Sequence, residues 1–188
     1  MCRGDFLTRI AEIAACRPAG IILREKDLTL AEYDELAGKV MEVCSQYSIQ
    51  CILHSFPEVA LKLGARALHL PLPILRDMRG EEKACFTYLG ASCHSVEDAL
   101  EAQRLGCTYI TAGHVFDTDC KRGVPGRGLS FLKTVCATVC IPVYAIGGIR
   151  PRNIGTVRAA GAAGACLMDS LMKSETVQDL LQMMEGAV

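Results

Sequence analysis

The segment from Thr111 to Gly128 gathers one histidine, His114, two acids, Asp117 and Asp119, one lysine, Lys121, and two arginines, Arg122 and Arg127. An imidazole exchanges a proton near neutral pH, and lysine and arginine attract anions, so these residue types suit proton transfer on a small charged substrate. Three glycines and one proline fall between Gly123 and Gly128, which forces the backbone to turn. An apolar strand, Cys107-Thr108-Tyr109-Ile110, leads in, and a helix is expected from Gly128. Charged side chains therefore collect at a strand's carboxyl end, where α/β folds place their chemistry.

Other candidates sit in equivalent places along the chain. Arg24-Glu25-Lys26-Asp27 follows the short apolar strand Ile21-Ile22-Leu23. It reads either as a solvated loop of mixed sign or, with Arg24 and Lys26 aimed into a mouth, as an anion site. Gly147 and Gly148 stand between the strand Pro142 to Ile146 and a helix starting at Pro151. There they serve a tight turn or let an anion reach backbone N–H groups, with Ser170 beyond the last strand completing a phosphate site. His69 lies within an apolar strand and reads as a satisfied core histidine, His94 as an aid to the next helix cap, and His54 as ambiguous. His114 is the strongest catalytic candidate, against the alternative of a hydrogen-bonded structural residue.

The elements that must position these groups alternate strictly. Apolar residues at helical spacing run from Phe6 after Asp5, a good N-cap, and a long helix is expected from about Thr29 to Gln46. Strands are expected at Ile21–Leu23, Cys51–Leu53, Ala67–Leu70, Phe86–Gly90, Cys107–Ile110, Pro142–Ile146 and Ala165–Met168. Gly64, Gly106 and Gly161 each follow a helix shortly before a strand, which suits a left-handed C-cap and marks a repeated unit. Seven strands and eight helices in alternation imply parallel strands with right-handed crossovers, and so a (β/α)8-type TIM barrel lacking its first strand.

Composition narrows the partners. The 188 residues are 51% hydrophobic with a net charge of −1, enough for one substantial core, so residues 1–188 read as a single domain. Interspersed charges offer no basic face for nucleic acid. No run resembles a signal peptide or a membrane span, and a cytoplasmic protein without a membrane partner is expected. Eleven cysteines, an odd number without a Cys-x-x-Cys pair, read as reduced and mostly buried rather than as disulfides.

Leu23-Arg24-Glu25-Lys26, Gly90-Ala91-Ser92-Cys93-His94-Ser95, the central loop, Pro142 to Ile149 and Gly161-Ala162-Ala163-Gly164 together resemble the thiamine phosphate synthase/TenI family of barrels. In the synthase branch a pyrophosphate and Mg2+ are held by carboxylates after the third and fourth strands. Here those places read His54-Ser55 and Leu70-Pro71-Leu72-Pro73, which cannot assemble an oxygen-rich Mg2+ site. Gly113-His114-Val115-Phe116-Asp117-Thr118-Asp119-Cys120-Lys121 is similar to the TenI branch, which contains the thiazole tautomerase.

That resemblance implies an isomerase aromatising a carboxythiazole phosphate by proton transfer, with no metal and no organic cofactor. His114 would be the catalytic group. Gly147, Gly148 and Ser170 would hold the phosphate, Arg24 and Lys26 the carboxylate, and Ser92 and Lys121 would also contact the small phosphorylated thiazole. The synthase reaction is the alternative, as is a regulatory protein that binds the thiazole phosphate without turning it over.

Family members begin with a strand before the helix that here starts near Asp5, and Met1 to Gly4 is too short to cross a barrel wall of about five or six residues. The sequence therefore reads as truncated at its start. Unpaired strand edges invite self-association, and a homo-oligomer is expected.

Overall fold

The structure, a computed structural model, describes residues 4–121 and 123–186. It opens on α1 (Phe6–Ala15), capped by Asp5, whose carboxylate accepts the Thr8 N–H at 2.9 Å. Strand β1 (Ile21–Leu23) leads to α2 (Leu30–Gln46), where Thr29 and Glu32 exchange side-chain and backbone hydrogen bonds in a capping box. The chain continues through β2 (Cys51–His54), α3 (Pro57–Lys62), β3 (Ala67–Pro71), α4 (Leu72–Asp77), α5 (Gly80–Ala84), β4 (Tyr88–Cys93) and α6 (Val96–Arg104). Then come β5 (Tyr109–Gly113), a single 3-10 turn at Asp119–Lys121, α7 (Gly128–Thr138), β6 (Val143–Ile146), α8 (Pro151–Ala159), β7 (Gly164–Cys166), α9 (Asp169–Lys173) and α10 (Val177–Gly186).

Among the described residues all seven strands are parallel and pair in chain order, the curled wall of a TIM-like barrel with one strand fewer than eight. Among the described residues, β1 and β7 each leave one edge unpaired. The segment expected in place of a first strand falls largely on Met1–Arg3, outside the described residues. Gly64, Gly106 and Gly161 have φ of +65°, +92° and +95°, as left-handed helix ends require.

Side chains alternate between two environments along each strand. Leu23, Leu53, Leu68, Leu70, Leu89, Ile110 and Val143 face outward and pack with Val40, Leu132, Val135 and Val157 of the helices in one continuous core. The inner face is different. It carries His54, His69, Ser92, Tyr109, Thr111 and Tyr144, a polar and aromatic lining where such barrels often hold branched aliphatics. Cys44, Cys51, Cys93 and Cys107 are buried free thiols, and burial pushes those of Cys93 and Cys107 up to about 12.

Three expectations need correction. Eight helices become ten among the described residues, because α5 forms and the closing turns divide into α9 and α10. None of the α5 residues is buried, so it leaves no apolar periodicity to read. β4 begins two residues later than expected and runs on to Cys93, and β5 begins at Tyr109 and extends to Gly113. Ser92 and Thr111 are therefore strand residues of the inner wall rather than loop residues.

Candidate active site

His114 follows the last residue of β5, and the Gly113–His114 peptide is cis. The central loop returns on itself: Arg127 N–H donates to the His114 carbonyl and Gly128 N–H to the Val115 carbonyl, both at 2.9 Å. Asp117 closes the turn from inside by accepting the Gly126 N–H at 2.7 Å. The Gly113 carbonyl at the root accepts from His94 Nδ1 at 2.8 Å and from Arg127 Nε at 3.3 Å. His114 itself is only 4% exposed. Its Nε2 donates to the Val124 carbonyl at 3.1 Å, and its buried Nδ1 has no partner among the described residues. Because a carbonyl can only accept, Nε2 carries a proton, and in the neutral form of the ring the lone pair lies on Nδ1.

The next strand end locks this loop in place. Val115 N–H donates to the Ile146 carbonyl at 2.9 Å and Phe116 N–H to the Gly147 carbonyl at 3.1 Å. Gly147 and Gly148 have φ of +100° and +64°. A Cβ on Gly147 would lie 2.3 Å from His114 Cβ, and one on Gly148 would lie 2.5 Å from the Asp117 carbonyl oxygen. Both residues must be glycine because the central loop rests directly on them. Beyond them, Asn153 accepts the Arg150 N–H at 2.8 Å and donates to the Gly148 carbonyl at 3.0 Å, fixing the start of α8. Ser170 is half-buried in α9 after β7.

The other candidates occupy the wall and the rim. Ser92, half-buried on β4, pairs in register with Thr111 and meets His69 Nε2 through its hydroxyl at 2.9 Å. Arg24 and Lys26 are exposed beyond β1, on the far side of β2 to β4 from His114. Burial pulls the His54 imidazole down to about 4, with the Arg24 and Lys26 charges adding to the shift, so both cations lie within electrostatic reach of His54. Lys121, exposed on the 3-10 turn, lines an open cleft of about 510 Å³ with Asp117, Val124 and Arg150. The structure thus brings His114, Gly147 and Gly148 into contact, sets Ser92 one strand away, and places Arg24 and Lys26 beyond β1, four strands from β5 in the sheet order.

His94 does more than the cap it was expected to serve. Its backbone N–H does join the cap, donating to Asp98 at 2.7 Å, but its ring holds the root of the central loop. Arg127, read from the sequence only as one of the loop's charges, holds the same root, and Tyr109 and Thr111 were not singled out from the sequence. The available signal for the last two was the period-two placement of polar residues opposite His69.

An Mg2+ site fits poorly at the ends of β2 and β3. The side chains there are the His54 imidazole, hydrogen-bonded to the Ser55 hydroxyl, and the Pro71 ring, which supplies no ligand atom, so they do not form the oxygen-rich set that Mg2+ takes.

A family model described as thiamine monophosphate synthase matches residues 1–171. The chain belongs to the thiamine monophosphate synthase family, and so to thiamine biosynthesis. It is 37% identical to thiamine-phosphate synthase 2 of Streptococcus pneumoniae, over 93% of this chain and 83% of the relative. It is 30% identical to the thiamine-phosphate synthase of Clostridium tetani, over 98% of this chain and 89% of the relative. The thiamine phosphate pyrophosphorylase structure from Pyrococcus furiosus superposes with a TM-score of 0.84 at 28% identity, over 98% of this chain and 89% of that one. These relatives carry the synthase name, which favours the alternative reading of the sequence over the tautomerase. No helix among the described residues is long and apolar enough to cross a membrane.

Proposed function

We propose that this member of the synthase family is a thiazole tautomerase-like isomerase, aromatising a carboxythiazole phosphate in the cytoplasm without a metal or organic cofactor. The observation that carries this reading is the His114 ring, whose Nε2 is committed to the Val124 carbonyl while the buried Nδ1 has no hydrogen-bond partner among the described residues. A positioned base of this kind removes the ring proton of the substrate, becomes imidazolium, and returns the proton to the exocyclic carbon, so that the reaction is a net isomerisation.

In this reading Gly147, Gly148 and Ser170 hold the phosphate through backbone and hydroxyl donors, and Ser92 and Lys121 contact the substrate from the wall and the loop. Arg24 and Lys26 pair with the carboxylate from the β1 side. The partner is a small phosphorylated thiazole, with neither nucleic acid nor membrane involved, and the active species is a homo-oligomer.

The second reading is the synthase itself, favoured by the names of relatives at 37% and 30% identity. The residues His54, Ser55 and Pro71 speak against it, since activation of a pyrophosphate by Mg2+ requires carboxylate ligands there. The discriminating experiment supplies hydroxymethylpyrimidine pyrophosphate, thiazole phosphate and Mg2+ and looks for thiamine phosphate. None is expected, and robust synthesis would establish the second reading in place of the first.

A further inference from the structure

We infer that Tyr109 and His69 are positioning residues that fix the Ser92 hydroxyl as a hydrogen-bond donor toward an anionic oxygen of the substrate, an inference that rests on the mouth taking an anionic thiazole. The three residues form one chain across the inner wall. Tyr109 OH meets His69 Nδ1 at 3.0 Å, and His69 Nε2 meets Ser92 Oγ at 2.9 Å, with Thr111 Oγ1 farther off at 3.4 Å.

Gly90 makes the chain possible. It stands on β4 between His69 and Tyr109 in register, and a Cβ there would lie 2.2 Å from the tyrosine ring. The ring therefore passes over the glycine to reach the histidine two strands away.

The direction of each bond follows from what must not be left unmade. Tyr109 is buried, and its only hydrogen-bond partner among the described residues is His69. If Tyr109 accepted from Nδ1, its own O–H would be buried without an acceptor, a costly arrangement. Tyr109 therefore donates to Nδ1, and the single proton of neutral His69 sits on Nε2. Burial, reinforced by His54, pulls the His69 imidazole down to about 3, so the ring is neutral at physiological pH.

Nε2–H then donates to Ser92 Oγ, and the serine's own hydrogen is not used on the histidine. His69 and Thr111 are sealed, at 2% and 3% exposed, whereas Ser92 is half-buried near the carboxyl end of β4. A hydroxyl that accepts one bond is a better donor for the next, which suits a carboxylate or phosphate oxygen at the mouth. A buried histidine that reads as merely satisfied thus sets the polarity of a binding group.

Two measurements test this. Nitrogen-15 NMR of the full chain should show His69 as the Nε2-protonated tautomer, and Tyr109→Phe, which keeps the ring over Gly90, should move it toward the other form. An Nδ1-protonated ring in the unaltered protein would overturn the inference.

Calorimetry with the aromatised carboxythiazole phosphate, the same thiazole phosphate without its carboxylate, and inorganic phosphate reads the consequence. Ser92→Ala should weaken binding of the carboxylated ligand about 10- to 100-fold, the size expected for one charge-assisted hydrogen bond. Equal losses for all three ligands assign the donor to the phosphate, and a loss confined to the carboxylated ligand assigns it to the carboxylate. His69→Gln, whose amide nitrogen replaces Nε2 as donor, should retain affinity that His69→Leu loses. Unchanged affinity for all three ligands in Ser92→Ala would overturn the inference. Absence of turnover in a protein that keeps the tautomer and the binding pattern would remove the tautomerase reading and leave this one standing.

Discussion

His114 donates from Nε2 to the Val124 carbonyl at 3.1 Å across ten residues of the central loop, while the other nitrogen of the same ring is enclosed and has no partner among the described residues. The loop thereby sets the tautomer, and the tautomer sets which nitrogen can act as a base. In His114→Asn, turnover of the thiazole substrate should fall by about 10²- to 10⁴-fold, the usual contribution of a general acid/base. Affinity for the aromatic product should change by no more than a few fold, because little ground-state binding passes through the imidazole. Rate and calorimetric measurements on the same preparation check both statements.

Gly147→Ala should cost both stability and turnover. The added methyl would collide with His114 Cβ at a backbone φ of +100°, a conformation that L side chains rarely adopt. Strain of this kind is worth about 1–3 kcal/mol, and relieving it displaces His114. Gly80→Ala, where a Cβ meets nothing within 4 Å, is the control and should leave turnover intact. Thermal melts and rates of the two variants compare them directly.

Stability should decline as pH falls below neutrality. His54 and His69 are pulled down to about 4 and about 3 from 6.5, both chiefly by burial, so the unfolded chain binds protons at a higher pH than the native one. Their contribution is complete above about pH 6.5 and is lost progressively as pH drops toward these folded values. His69→Gln should flatten that slope. Urea melts between pH 7 and 4 measure the change.

Tyr33→Phe should destabilise the barrel wall by about 2–4 kcal/mol, since it leaves two buried backbone groups unsatisfied. The Tyr33 hydroxyl donates to the Leu23 carbonyl at 2.9 Å and accepts the His54 N–H at 2.8 Å, tying α2 to both β1 and β2. Denaturant midpoints at neutral pH read the loss.

Much of this architecture was legible in the residues because local physics announces it. Asp5 and Thr29 start α1 and α2 as caps do, and glycines at positions 64, 106 and 161 end helices with positive φ. The strand cores were visible as apolar runs facing the helices. Their polar extensions were not: Ser92 and Thr111 continue β4 and β5 with side chains turned to the barrel interior, which breaks the apolar pattern that marks a strand.

Contacts made across the fold left no local trace. The His94 ring reaches the Gly113 carbonyl over nineteen residues of chain, and Tyr109 reaches His69 over forty. Gly147-Gly148 was legible as a turn beside a helix start. That the central loop packs against it emerges only when β5 and β6 are paired.

The most direct measurement supplies the purified protein with the unaromatised carboxythiazole phosphate and follows the absorbance of the aromatic thiazole. The account predicts conversion by the unaltered chain without added metal, and conversion at the buffer rate by His114→Asn. Conversion no faster than buffer in the unaltered chain, or equal rates in the two proteins, would contradict it.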